Sequence, residues 1–210
     1  MEKNRAELNE KLKKISYVHI FAYEVYLHAE YFHKPKTKEE LDLVAYSIHS
    51  KNLRFIMHLM YRVLINEVAK LYSRSKNDKY RIEAFIRLFA IDGHFKEINI
   101  PIEKVKYWEN KLIEQEETIK NVLLLRSKLY AHTDNPLESY ANIEVSFKEI
   151  KKLLDFVAEI LQYIYSTIFD TELLIEPTIF DRDKFLILDL LARGEKKRQD
   201  DITELYNGVI

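Results

Sequence analysis

The chain has 210 residues, 47% of them hydrophobic and 32% charged, with a formal net charge of −1. That length suits one domain able to bury roughly 70% of its unfolded surface, and the composition excludes a disordered chain. The near-zero charge excludes nucleic-acid binding by bulk attraction, and the absence of cysteine excludes disulfides and thiolate metal sites.

Apolar residues recur at three and four positions almost throughout, which is the helical period. The opening MEKNRAELNEKLKK lacks the apolar core of a signal peptide. No stretch approaches the ~20 apolar residues that span a bilayer. The expected compartment is therefore the cytoplasm, with no membrane contact. The first long helix is predicted over 5–33, ending before Lys34 and Pro35. Thr37 and Glu40 form a capping box for a second helix over 38–73. Its apolar stripe includes Leu41, Val44, Ile48, Leu53, Ile56, Leu59, Val63 and Leu64. Tyr17, Tyr23, Tyr26 and Tyr31 read as core and interface residues at helical spacing.

The segment 74-RSKNDKYR-81 concentrates Arg74, Lys76, Lys79 and Arg81 in eight residues, followed by Arg87. A solvated loop is the simpler reading; a local basic surface contacting RNA is the sharper one. Asp78 is the expected N-cap of a short helix ending near Ala90, and 91–101 reads as a loop broken by Gly93 and Pro101. A fourth helix is predicted from Pro101 to about His132, because Asn135 precedes Pro136 and cannot easily be helical. Ser146 and Glu149 form a second capping box, opening a fifth helix to about Phe169. Weaker helical pieces are predicted at 181–192 and 200–206. The expected fold is all-α, an up-and-down bundle of about five main helices over 1–175. Residues 176–210 are expected as a C-terminal helical appendage packed on the same domain.

Five of the seven histidines, His19, His28, His33, His49 and His58, fall in the first two helices. A bundle metal site would need a Glu followed three residues later by His, repeated on another helix. That pattern is absent, so no metal or other cofactor is expected and these histidines read as structural or surface residues. There is also no glycine-rich phosphate loop and no nucleophile elbow.

What remains is 123-LLLRSKLYAHTDNP-136, with Arg126 and His132 in one segment. Arginine plus histidine suits RNA phosphodiester cleavage without a metal. A histidine near its ordinary pKa moves the protons, and a guanidinium forks onto the phosphate as charge develops. Two other readings stand beside it. Arg126 can pair with Asp134, Glu114 or Glu116, and His132 can sit at a helix C-terminus where an imidazolium meets the dipole. The spacing alone is weak: Arg87 and His94 satisfy it too.

The string 126-RSKLYAHTD-134 resembles the motif of the HEPN superfamily, particularly its abortive-infection (AbiU-like) branch. The resemblance rests on Arg126, Lys128, Ala131-His132 and Asp134, and extends over most of residues 5–170. It implies an HEPN-like helical bundle and a metal-independent endoribonuclease of phage defence or of a toxin–antitoxin pair. Its motif would lie at a homodimer cleft, with an antitoxin or defence-system partner. Arg126 would stabilise the phosphate and His132 would act as general acid and base, supported by Ser127, Lys128, Tyr130 and Asp134. Family members often carry Asn, Asp or His where this chain has Ser127. Asp134 rather than Tyr stands two positions after His132, so no tyrosine-modification switch is implied. The alternative function is a non-catalytic helical dimer that binds a partner protein or nucleotide.

Six residues on one helix leave Arg126 and His132 ~120° apart with ~9 Å of rise. The expectation is thus a site at a helix end and between two chains.

Overall fold

The computed structural model describes residues 2–46, 51–127, 144–173 and 187–208. Those residues are 78% helical and contain no strand. They form eight helices: α1 (Glu2–His33), α2 (Lys38–Tyr46), α3 (Lys51–Leu71), α4 (Ile82–Arg87), α5 (Ile102–Glu114), α6 (Glu116–Leu125), α7 (Phe147–Phe169) and α8 (Ile187–Asn207). The all-α expectation holds. None of these helices is long and apolar enough to cross a membrane.

Two compact units partition the chain: Met1–Tyr26 with Arg62–Pro177, and Leu27–Tyr61 with Thr178–Ile210. In the first, α7 buries one stripe, Ile150, Leu153, Leu154, Val157, Ile160, Leu161 and Ile164, all fully enclosed. Their three- and four-residue spacing puts them on one helical face. Each such side chain is worth ~1.5–3 kcal/mol on burial. From α1 come buried Leu8, Leu12, Ile15 and Ala22, and from α3 Leu64, Ile65, Val68 and Leu71. Polar ties fix the register. His19 lies 2.9 Å from the Leu154 carbonyl, the Tyr72 hydroxyl donates to the Leu153 carbonyl at 2.7 Å, and Lys104 pairs with Glu159 at 2.7 Å. Trp108 of α5 is fully buried and meets Tyr163 of α7 edge-on, with ring centroids 5.5 Å apart.

In the second unit α2 packs on α8. Tyr31, Phe32, Leu53 and Leu188 form its core, with Leu43, Met57 and Met60 against them. The buried Leu188 amide of α8 donates to the Tyr31 hydroxyl at 3.0 Å.

Both predicted capping boxes exist. Glu40 N donates to Thr37 Oγ1 at 3.1 Å while its carboxylate accepts from Thr37 N at 3.4 Å, and Ser146 with Glu149 makes the same reciprocal pair. Elsewhere the structure corrects the sequence reading. The predicted fourth helix is two helices, divided at Gln115 (φ −100°, ψ 4°), with Pro101 as the cap residue before it. Asp78 caps nothing: its carboxylate accepts from the Ser73 hydroxyl, and Arg81 precedes α4 with no side-chain cap. The C-terminal pieces are one helix from 187 on, with 181–186 outside the described residues. Of the stripe predicted for the second helix, Leu53 and Leu64 are buried, whereas Leu41, Ile56 and Leu59 are exposed. Tyr23, Tyr26 and Tyr31 are core residues; Tyr17 is on the surface. The 91–100 loop turns tightly at Gly93, where a Cβ would collide with the Leu88 carbonyl.

Candidate functional site

Helix α6 ends on the motif arginine. Arg126 keeps helical dihedrals (φ −56°, ψ −51°), and its amide reaches the Val122 and Leu123 carbonyls. The turn widens there to π geometry over Arg126 and Ser127, a distortion that recurs at functional positions. Arg126 is half-buried and makes no ion pair among the described residues. Both glutamates that the sequence offered it are engaged elsewhere: Glu114 with Lys111 at 2.7 Å, and Glu116 with Arg74. Ser127 is exposed, and its hydroxyl donates to the Leu124 carbonyl at 3.2 Å, back onto its own helix. Lys128, Tyr130, His132 and Asp134 lie outside the described residues. The competing Arg87 and His94 are both occupied, Arg87 by Glu83 at 2.6 Å and His94 by Glu7 at 3.0 Å.

The basic segment comes together with α6 in a way its composition did not announce. A cavity of about 910 Å³ opens between the 74–81 segment, α4, α5 and the start of α6. Arg74, Lys76, Arg81 and Arg87 line it, while Lys79 is exposed and does not. Three carboxylates face these cations from the same lining: Glu83, Glu109 and Glu116. Ile86, Leu112, Ile113 and Ile119 supply apolar surface. Two of the cations are paired, Arg74 with Glu116 and Arg87 with Glu83. Lys76 and Arg81 make no ion pair among the described residues. Arg81 Nη1 donates to the Arg74 carbonyl at 3.3 Å, and its buried Nε has no hydrogen-bond partner among the described residues. A cavity of this size with an apolar floor and a few convergent polar groups has the character of a ligand site.

Of the histidines, His19 is fully buried, and burial pushes its pKa down to about 4. It is a neutral core residue hydrogen-bonded to the backbone of α7. Among the described residues no group of three or more His, Asp or Glu side chains is placed to hold a metal ion.

No curated protein and no solved structure matches the chain. The AbiU2 family of HEPN domains matches residues 56–185, which include Arg126, the motif segment after it and every residue lining the cavity. That span is more than half of the 210 residues, and the chain belongs to the HEPN AbiU2 family.

Proposed function

We propose that this protein is a metal-independent endoribonuclease of abortive infection or of a toxin–antitoxin pair, acting in the cytoplasm as a homodimer. The observation that carries the reading is the state of Arg126: a family-motif arginine in the π turn that follows α6, half-buried, with neither candidate glutamate neutralising it. A guanidinium so placed can fork onto a phosphate.

In the proposed step, His132 takes the proton of a ribose 2′-hydroxyl. The freed oxygen attacks the adjacent phosphorus and forms a 2′,3′-cyclic phosphate. The bond from phosphorus to the 5′ oxygen breaks, and that oxygen receives a proton from an imidazolium, that of the same His132 or of its two-fold mate. Arg126 stabilises the extra charge on the crowded phosphate. DNA lacks the 2′-hydroxyl and would survive. The test is labelled RNA with purified protein and EDTA, comparing wild type with Arg126→Ala and His132→Ala. Cleavage unchanged in both variants would remove these residues from the mechanism.

One observation favours the second reading, a non-catalytic dimer that binds a partner protein or nucleotide. The Ser127 hydroxyl is spent on the Leu124 carbonyl, so the residue beside the motif arginine offers no free donor to a phosphate. Growth on induced expression separates the two: a ribonuclease toxin arrests its host, and His132→Ala relieves the arrest.

A further inference from the structure

We infer that the cavity between α4, α5 and the 74–81 segment is a subsite for the RNA strand flanking the cleaved phosphate, with Lys76 and Arg81 as its phosphate contacts and Glu109 as its base contact. The inference deepens the ribonuclease reading and rests on it for the position of the cut.

The geometry comes from α6 itself. Ile119 lines the cavity, and Arg126 lies seven residues further along the same helix. Seven residues turn the helix through ~700°, within ~20° of two full turns, and advance it ~10.5 Å. Arg126 and the cavity are therefore served by one face of one helix. An offset of ~10.5 Å corresponds to about three nucleotides of stacked strand at ~3.4 Å per step. A strand whose phosphate sits on Arg126 can continue along α6 into the cavity.

The lining chemistry fits a nucleotide unit better than a bare anion. Arg74 and Arg87 are neutralised by Glu116 and Glu83, which leaves Lys76 and Arg81 as the lining cations without an ion pair among the described residues. The buried Arg81 Nε, without a partner among the described residues, is a donor still to be satisfied. A phosphate between the two would accept charge-assisted hydrogen bonds from the Lys76 ammonium and the Arg81 guanidinium. Glu109 is the remaining carboxylate without an ion pair among the described residues, an acceptor suited to the exocyclic amino group of cytosine, adenine or guanine. Ile113, 72% exposed, and Leu112 present apolar surface to a base face. Cations and carboxylates nearly balance, so the site would read a strand by local pairing, in keeping with a chain of net charge −1.

The experiment uses the full chain and a fluorescein-labelled single-stranded RNA twelve-mer, 2′-O-methylated throughout so that it cannot be cut, with EDTA present. Lys76→Ala/Arg81→Ala should weaken binding at least tenfold. Lys79→Ala, the control in the same basic segment but off the cavity, should change it less than twofold. Melting curves check that the variants remain folded. On cleavable RNA the double variant should raise KM with kcat within about twofold, whereas Arg126→Ala lowers kcat. Equal loss from Lys79→Ala and the double variant would reduce the effect to general charge and overturn the subsite. So would wild-type affinity in the double variant, or displacement of the RNA by a free nucleoside monophosphate at the oligomer's own affinity. Failure of the ribonuclease reading looks different: wild type then binds the twelve-mer through Lys76 and Arg81 but cuts no RNA.

Discussion

Arg74 and Glu116 are ion-paired across 42 residues of sequence, tying the segment that follows α3 to the first turn of α6, and both side chains line the same cavity. The pair is more than half exposed on both sides, at 56% and 54%. Solvent screening therefore limits its worth to below ~1 kcal/mol of stability. Its larger effect is on charge, because Glu116 neutralises a cation in the cavity. Glu116→Gln should leave the urea midpoint nearly unchanged while tightening binding of the uncleavable RNA a few-fold. Arg74 is then free to neutralise one more phosphate, so the log–log salt slope should steepen by about 0.7. Fluorescence anisotropy between 50 and 200 mM salt reads both, on the range over which such slopes are routinely resolved.

Stability should fall with acid because of His19. Its folded-state pKa is about 4 against an ordinary 6.5, since burial penalises the imidazolium. The unfolded chain binds this proton more tightly than the folded one. The contribution is thus fully present above pH ~6.5 and is lost as pH falls toward ~4, by about 3 kcal/mol in all. His19→Gln keeps a donor for the Leu154 carbonyl but cannot titrate. Denaturant curves at pH 7 and pH 4.5 should show a smaller acid loss in the variant; equal losses would exonerate the histidine.

At the start of α7, Ser146 Oγ accepts from the Glu149 amide at 3.2 Å and the Glu149 carboxylate accepts from the Ser146 amide at 2.8 Å. Ser146→Ala removes the cap and should cost about 1 kcal/mol. Since α7 carries a fully buried apolar stripe, the loss should appear as a lower urea midpoint with an unchanged slope.

In the second unit, Tyr31→Phe removes the acceptor of the buried Leu188 amide. Leaving that N–H unsatisfied should cost about 1–3 kcal/mol. The local sign is faster hydrogen exchange at the first turn of α8, with α7 unaffected.

Sequence was a good guide wherever the physics is local. The two capping boxes need only a Ser or Thr and a Glu three residues apart, and both stand where Thr37 and Ser146 placed them. It was poor where tertiary context decides. The break at Gln115 has no glycine or proline to announce it. Asp78 has the chemistry of an N-cap, yet the Ser73 hydroxyl claims its carboxylate. α8 runs unbroken through Gly194, braced on either side by Arg193 with Asp189 at 2.8 Å and Arg198 with Glu195 at 2.6 Å. The exposed Leu41, Ile56 and Leu59 follow the helical period as faithfully as a buried face, and periodicity cannot say which faces are covered. At the site, Arg126 was legible because a nine-residue motif carries it. The cavity was not, because Arg81 and Glu109 come to one cavity only through the packing of α4 on α5.

The most direct measurement is cleavage of labelled single-stranded RNA by the purified full chain in EDTA, under single-turnover conditions, beside the matched DNA. Wild type should cut the RNA, leave 2′,3′-cyclic phosphate ends and spare the DNA. His132→Ala should slow the cut by about 10²–10⁴-fold, as for loss of a general acid–base group, and Arg126→Ala by about 10²–10³-fold. RNA left intact by the folded wild-type protein, or cut by both variants at the wild-type rate, would contradict the account.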